Sequence, residues 1–281
     1  MEMGGGGGVF TLGKSLYMKQ SGCKGDHCSG LKEPGSNGLA QVPGKGEIIL
    51  CEHGNRRVVR METNGSRTLL ATHYQGLPLN SPNDLAFSPR GDVFFTDPPY
   101  GLNRLEDDPD FVLGFSGVFR IRREVFEAIR QGMSEVPEPE LVERGMVRPN
   151  GIAFSQDGER MYVANSYRND AHWRVYDVTA DGNVTDGRLF LDATPLQKVG
   201  LGNPDGLKVD NRGNLFATGP GGVLIISPSG QHLGTVLTGN LEAANTVIGG
   251  DGFLYITATS QVMRVPVLSK AAAPAKAGDG A

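Results

Sequence analysis

One unit recurs five times along the chain. A small residue or proline is followed by Asn or Asp, then by an apolar run, a glycine turn, a second apolar run and a polar exit. The copies open at Ser36-Asn37-Gly38-Leu39, Pro82-Asn83-Asp84-Leu85, Pro149-Asn150-Gly151-Ile152, Pro204-Asp205-Gly206-Leu207 and Ala244-Asn245-Thr246-Val247. Their Asn/Asp positions lie 46, 67, 55 and 40 residues apart. That matches a propeller blade of roughly 40–50 residues with loop insertions.

Each copy holds two strands joined by a turn such as Ser88-Pro89-Arg90-Gly91, Ser155-Gln156-Asp157-Gly158 or Asp210-Asn211-Arg212-Gly213. These are hairpin signals. Third strands are expected at 57–61, 117–121, 173–178, 222–227 and 261–265, and fourth strands at 67–71, 140–143, 188–191 and 232–237. Four antiparallel strands per repeat make a propeller blade. The single helical pattern, at 124–132, reads as an insertion. Segments 8–14 and 15–20 are expected to be the last two strands of an earlier blade whose first two precede Met1. The reading is therefore all-β: a six-bladed β-propeller with its first blade incomplete. It runs over residues 9–267, between a flexible Gly-rich stretch (1–8) and a disordered tail (268–281).

Composition excludes several classes. Lys and Arg number 27 against 31 Asp and Glu, without the clustered basic surface that phosphate binding needs. No apolar run approaches the ~18 residues of a membrane helix, and Met1-Glu2-Met3 followed by five glycines is not a secretory signal. Gly219-Pro220-Gly221-Gly222 lacks a following GK[ST] and reads as a blade turn, not a phosphate loop. The arginines at 56, 57, 60, 120, 122 and 123 read as solvated strand faces. Three cysteines do not make a disulfide framework. CKGDHC, with Cys23, His27 and Cys28, offers half a zinc site or a flexible loop, and Cys51 a buried thiol. A cytoplasmic location is the expectation.

Hairpin geometry places the opening residues Asn37, Asn83, Asn150, Asp205 and Asn245 on the same rim as the closing residues Glu52, Asp97 and Asn165. Such oxygen-only ligands suit hard cations such as Ca²⁺ better than zinc or copper. Alternatively, Asn or Asp before Gly simply makes a turn. That alternative is strongest for Asn37 and Asn245. Asn83, Asn150 and Asp205 each follow proline, which stiffens the loop. His53 could shuttle protons near neutral pH or brace the rim. Asp97 and Tyr100, in TDPPYG, are further candidates for the substrate side.

The strings SNGL, CEHGNRRVVR, LNSPNDLAFSPRGDVFFTDPPYGL, RPNGIAFSQDGERMYVANS, NPDGLKVDNRGNLFATGPGGV and GGDGFLYITA resemble the SMP-30/gluconolactonase/LRE-like family, in particular its gluconolactonase-like branch. The resemblance implies a six-bladed propeller, a divalent metal in the central channel and hydrolysis of sugar-type lactones. The metal is calcium, with Zn²⁺, Mg²⁺ or Mn²⁺ as substitutes. It further implies metal-ligand positions at Asn150 and Asp205, a metal or substrate contact at Asn83, and water activation by Asp205. His53, Asp97 and Tyr100 fall to the substrate side. The family's glutamate ligand, in an EGP-type motif, is missing. Glu33-Pro34-Gly35 precedes SNGL rather than an apolar blade-opening strand and is set aside. The expected function is a metal-dependent lactone hydrolase acting on a small-molecule lactone, impaired by loss of that glutamate. A non-catalytic metal- or protein-binding propeller is the alternative.

Overall fold

The computed structural model describes residues 21–23, 28–185, 187–198 and 200–267. Five sheets carry the fold among them, and the polypeptide is an all-β propeller. The first sheet holds β1 (Ser36–Gln41), β2 (Ile48–Glu52), β3 (Arg57–Met61) and β4 (Arg67–Ala71). A short hairpin, β5 (His73–Tyr74) and β6 (Leu77–Pro78), leads on to β7 (Leu85–Phe87), β8 (Val93–Asp97), β9 (Gly117–Ile121) and β10 (Glu140–Glu143). The third sheet is β11 (Pro149–Phe154), β12 (Arg160–Asn165), β13 (His172–Asp177) and β14 (Arg188–Asp192). The fourth is β15 (Leu207–Val209), β16 (Leu215–Gly219), β17 (Gly222–Ile226) and β18 (His232–Leu237), and the fifth has three strands, β19 (Ala243–Ile248), β20 (Phe253–Ala258) and β21 (Gln261–Pro266). Each sheet is an antiparallel meander in chain order, as the repeat predicts. The half blade expected from 8–14 and 15–20, the stretch 1–8 and the tail 268–281 lie outside the described residues, as does His27.

Innermost strands of consecutive sheets abut: β1 on β7, β7 on β11, β11 on β15 and β15 on β19. Glycine sets this spacing. A side chain on Gly38 would come within 2.6 Å of the Asn83 carbonyl oxygen in the next blade. One on Gly151 would overlap the Asp205 carbonyl, and one on Gly206 the Asn245 amide. None of these three glycines has positive φ, nor do Asn37, Asn83, Asn150, Asp205 or Asn245. The left-handed-turn reading of the Asn/Asp-Gly pairs is therefore displaced: the glycine admits the neighbouring blade. Backbone bonds seal the contact, Gly38 N–H to Asn83 O (2.6 Å) and Gly206 N–H to Ala244 O (2.9 Å). The buried Thr96 hydroxyl donates to Asn150 O at 2.8 Å, and the Thr218 hydroxyl reaches Ala244 O at 3.3 Å.

Apolar side chains fill the spaces between sheets. Ile49, Val58, Phe95 and Phe119 form one layer, and Tyr162, Trp173, Leu215 and Leu224 another. The insertion helix α1 (Arg123–Arg130) buries Phe126 and Ile129, three residues apart on one face, with Phe126 edge-on to Phe87. The arginines read as solvated faces divide. Arg120 and Arg60 are buried, held by Glu140 and Glu62, whereas Arg122 is substantially exposed. Buried guanidinium groups need such partners.

The cysteines correct the sequence reading. Cys23 and Cys28 are joined in a disulfide, so CKGDHC is neither half a zinc site nor an untethered loop. A disulfide lends no support to the expected cytoplasmic location. Cys51 is free and buried, as expected. Among the described residues no helix is long and apolar enough to cross a membrane.

Gly151→Ala forces apart two blades and is expected to destabilise the protein by about 1–3 kcal/mol or more. Gly234→Ala, with open space around its α-carbon, is the matched control and stays within about 0.5 kcal/mol. Denaturant unfolding of both variants checks the difference.

Candidate active site

Four of the five opening residues, Asn37, Asn83, Asn150 and Asp205, line one polar cavity of about 440 Å³ at the channel mouth. Tyr100, Ser166 and Glu33 share that wall. Asn245 lies one level deeper, where a second cavity of about 610 Å³ is lined by Asn83, Asp84, Asn150, Asp205 and Lys208. A larger cavity, about 760 Å³, opens at the far end of the channel among Leu39, Phe87, Phe126 and Phe154. It holds none of the Asn/Asp cluster, so the mouth is the candidate site.

The closing residues have another use. Asp97 is fully buried, and its two oxygens accept the backbone N–H groups of Asn80 and Ser81, each at 2.7 Å. It does not line the mouth cavity. Asp97 holds the loop that presents Asn83, so its expected place against substrate is corrected to one beneath the loop. Burial raises its carboxyl to about 7, against the pull of those N–H groups and of Arg56. Asn165 does the equivalent in the next blade, accepting the Arg148 N–H at 2.9 Å and donating to Asp170 O. Glu52 is spent on Arg57 at 2.6 Å and Arg67 at 3.0 Å. The expected ring of oxygen ligands therefore reduces to the opening residues.

Asp205 is fixed by its own N–H on Thr218 O (3.1 Å). Its side chain keeps some access to the channel yet is enclosed by protein all round. Enclosure raises its carboxyl to about 8, and the charges of Asp84 and Glu33 push the same way. The Gly206 N–H and a hydrogen bond from Asn150 oppose this. Asn150 Oδ1 is buried and has no hydrogen-bond partner among the described residues, and neither has Asp84 Oδ2. Such atoms are costly unless a ligand or water satisfies them.

Tyr100 rises from a short 3₁₀ turn, Pro99–Gly101. Burial pushes its phenol up to about 12, so it stays neutral. Arg148 sits 5.8 Å from its ring centroid. His53 is only 2 % exposed and does not line the cavity. Instead it meets Glu33 Oε2 through Nδ1 at 3.1 Å and the Asn37 amide through Nε2 at 3.2 Å.

Glu33 is the residue that sequence reading passed over. Glu33-Pro34-Gly35 precedes β1 and does not open a blade, yet the arm carrying it is tied across the rim. Asn55 N–H donates to Gly22 O (3.0 Å), Ser36 N–H to the Ser21 hydroxyl (3.2 Å) and Lys32 N–H to Asn103 Oδ1 (3.0 Å). Gly54 lets Pro34 and Cys23 pack on β2's exit loop; a Cβ there would stand 2.7 Å from both. A negative residue just before SNGL was the available signal. Thr96 and Thr218, the recurring threonines of FFTD and FATG, were likewise legible only as strand residues.

Residues 17–260 match the family model of the SMP-30/Gluconolactonase/LRE-like region, and the chain belongs to that family. It is 36 % identical over 260 residues to a gluconolactonase of Zymomonas mobilis, covering 90 % of this chain and 69 % of that protein. An L-arabinolactonase of Azospirillum brasilense is 32 % identical over 110 residues, 38 % of this chain and 35 % of that protein. The solved structure of a gluconolactonase from Xanthomonas campestris superposes with a TM-score of 0.69 at 29 % identity, covering 84 % of this chain and 73 % of that one.

Two outcomes are expected from the buried carboxylates. Asp97→Asn replaces an accepting oxygen by an NH₂ group facing an N–H donor. It should cost about 1.5–3 kcal/mol in urea unfolding. Asp205 binds its proton more tightly folded, near pH 8, than unfolded, near 3.8. Across that window the native state keeps a proton that the unfolded chain has released, so stability falls as pH rises. In EDTA, the wild-type Tm should drop from pH 5 to 9 more steeply than that of Asp205→Asn.

Proposed function

We propose that this protein is a divalent-cation-dependent hydrolase that opens sugar-type lactones such as gluconolactone. The observation that carries this reading is that Asn83, Asn150 and Asp205, from three separate blades, line one cavity. The gluconolactonase relative supports the substrate class. The finer architecture, a six-bladed ring, also rests on the family resemblance.

The residues present fit a hard cation. Among the described residues Asn150 Oδ1 is buried without a partner, the set is all oxygen, and no Lys, Arg or His lines the mouth. Calcium suits such donors best, with Mg²⁺ or Mn²⁺ next and Zn²⁺ least. Asn83, Asn150 and Asp205 would hold it. Among the described residues no group of three or more His, Cys, Asp or Glu could hold a metal. With one carboxylate among the three ligands, binding should be weak, with Kd on the order of 10⁻⁴ M or above. That weakness is the form in which activity would be impaired.

When bound, the cation supplies Lewis-acid polarisation of the lactone carbonyl. Asp205 orients the attacking water, and its proton affinity decides how far it also accepts a proton. With a cation bound, Asp205 would hold its proton less tightly and act more as an orienting group than as a base. Asn83 offers an amide to the lactone ring, and neutral Tyr100 closes one wall. Ring opening breaks the acyl C–O bond, the ring oxygen leaves as a hydroxyl after taking a proton, and the product is a hydroxy acid. The acidic wall of Glu33 and Glu242 disfavours the anionic product over the neutral lactone.

Opening of glucono-1,5-lactone, followed by pH-stat above the spontaneous rate, should require calcium and stop in EDTA. Asp205→Ala should lose about 100-fold or more. Rates untouched by both treatments would overturn the reading. A folded chain that binds calcium without opening the lactone would instead be a binding module.

A further inference from the structure

Beside the proposed reaction centre stands a second polar group whose hydrogen bonds the mechanism above does not use. Glu33, His53 and Asn37 form a hydrogen-bonded chain along one side of the mouth. His53 Nε2 accepts from the Asn37 amide nitrogen at 3.2 Å. In neutral imidazole the other nitrogen then carries the proton, and Nδ1 donates to Glu33 Oε2 at 3.1 Å. His53 itself is buried, whereas the Glu33 side chain is 52 % exposed and Asn37 is exposed. One buried ring thus sets the orientation of two accessible side chains. Glu33 Oε1 and Asn37 Oδ1 make no hydrogen bond among the described residues, and both side chains line the cavity that Asp205 lines.

We infer that Glu33 and Asn37, held in register by His53, form a hydroxyl-recognition wall that selects polyhydroxylated lactones over lactones without hydroxyl groups. This rests on the reading of the mouth as a lactone site. A lactone with its carbonyl towards Asn83, Asn150 and Asp205 turns part of its ring towards this wall. Each ring hydroxyl is a donor, and the wall presents two acceptors whose directions are fixed in advance. A hydroxyl–carboxylate bond is charge-assisted and roughly twice as strong as a neutral one. An acceptor built to meet a hydroxyl also discriminates strongly against an analogue that lacks it. His53 is a positioning residue here, since it reaches the cavity only through its two partners.

Glu33→Gln keeps the shape. Its oxygen takes the His53 N–H, and an NH₂ donor is then turned towards the substrate in place of an acceptor. Glu33 is half exposed, so the variant should fold, and its melting temperature confirms this. Binding is measured by calorimetry with calcium present, using glucono-1,5-lactam, which keeps the hydroxyls but is not readily hydrolysed. The expected result is binding by wild type, weakened about tenfold or more in Glu33→Gln and weakened likewise in His53→Phe. In parallel, the ratio of kcat/KM for glucono-1,5-lactone over δ-valerolactone should fall about tenfold or more in Glu33→Gln, mostly through KM. Lactam binding within twofold of wild type in Glu33→Gln, an unchanged selectivity ratio, or no lactam binding by wild type would overturn the inference. Selective lactam binding without lactone opening would sink the hydrolase reading and leave the recognition wall standing.

Discussion

The structure depends on how closely the innermost strands of adjacent blades approach at the mouth of the channel. Gly38, Gly151 and Gly206 have no side chain because the next blade's backbone, or Asn245's amide, occupies that space. Gly38 and Gly206 also carry N–H groups that bond across the junction, and Thr96 and Thr218 add hydroxyl bonds from the second strand. This contact does two things at once. It spaces the sheets so that their apolar faces interdigitate, and it turns the residue before each glycine towards the axis. In the second blade Asp84 stands where the first, third and fourth have glycine, and Thr96 makes the approach to Asn150. The exception keeps the junction and adds a buried carboxylate beneath the mouth.

That geometry sets the electrostatics. A carboxylate enclosed near another, as Asp205 is near Asp84, is destabilised as an anion, and Asn150 Oδ1 is buried without a partner among the described residues. A protein selected for stability alone would not leave these groups so. Sites that bind ligands often carry such strain. The supporting loops are built in the opposite manner. Asp97 and Asn165 spend their oxygens on backbone N–H groups. The polar residues at the rim therefore separate into those that hold loops and those left open to a ligand, and the proposed chemistry uses only the second kind.

The arm before β1 extends the site beyond the repeat. A disulfide joins Cys23 to Cys28, and Ser21, Gly22 and Lys32 bind the arm to the rim. It brings Glu33 to a mouth that also holds the carboxylates of Asp205 and Glu242. Because His53 ties Glu33 to Asn37, this non-repeating segment is mechanically part of the first blade. A larger cavity lies at the other end of the channel, among strand ends and α1, and none of the opening Asn/Asp residues lines it.

Much of this was legible in the order of residues. Period and hairpin turns place nearly every strand within a residue or two, because alternation of apolar and polar side chains is a local property of a half-buried strand. Proline before Asn83, Asn150 and Asp205 marks them out for the same local reason. What a residue faces across the ring is not local. Whether Asp97 meets a substrate or two backbone N–H groups, and whether Glu33 reaches the mouth, depend on segments that come together only in the folded chain. The sequence alone determined the repeat, its strands and the side chains that could carry chemistry. Only the tertiary structure decided which of them share a cavity, since hydrogen bonds and burial between distant segments exist only once the blades have packed.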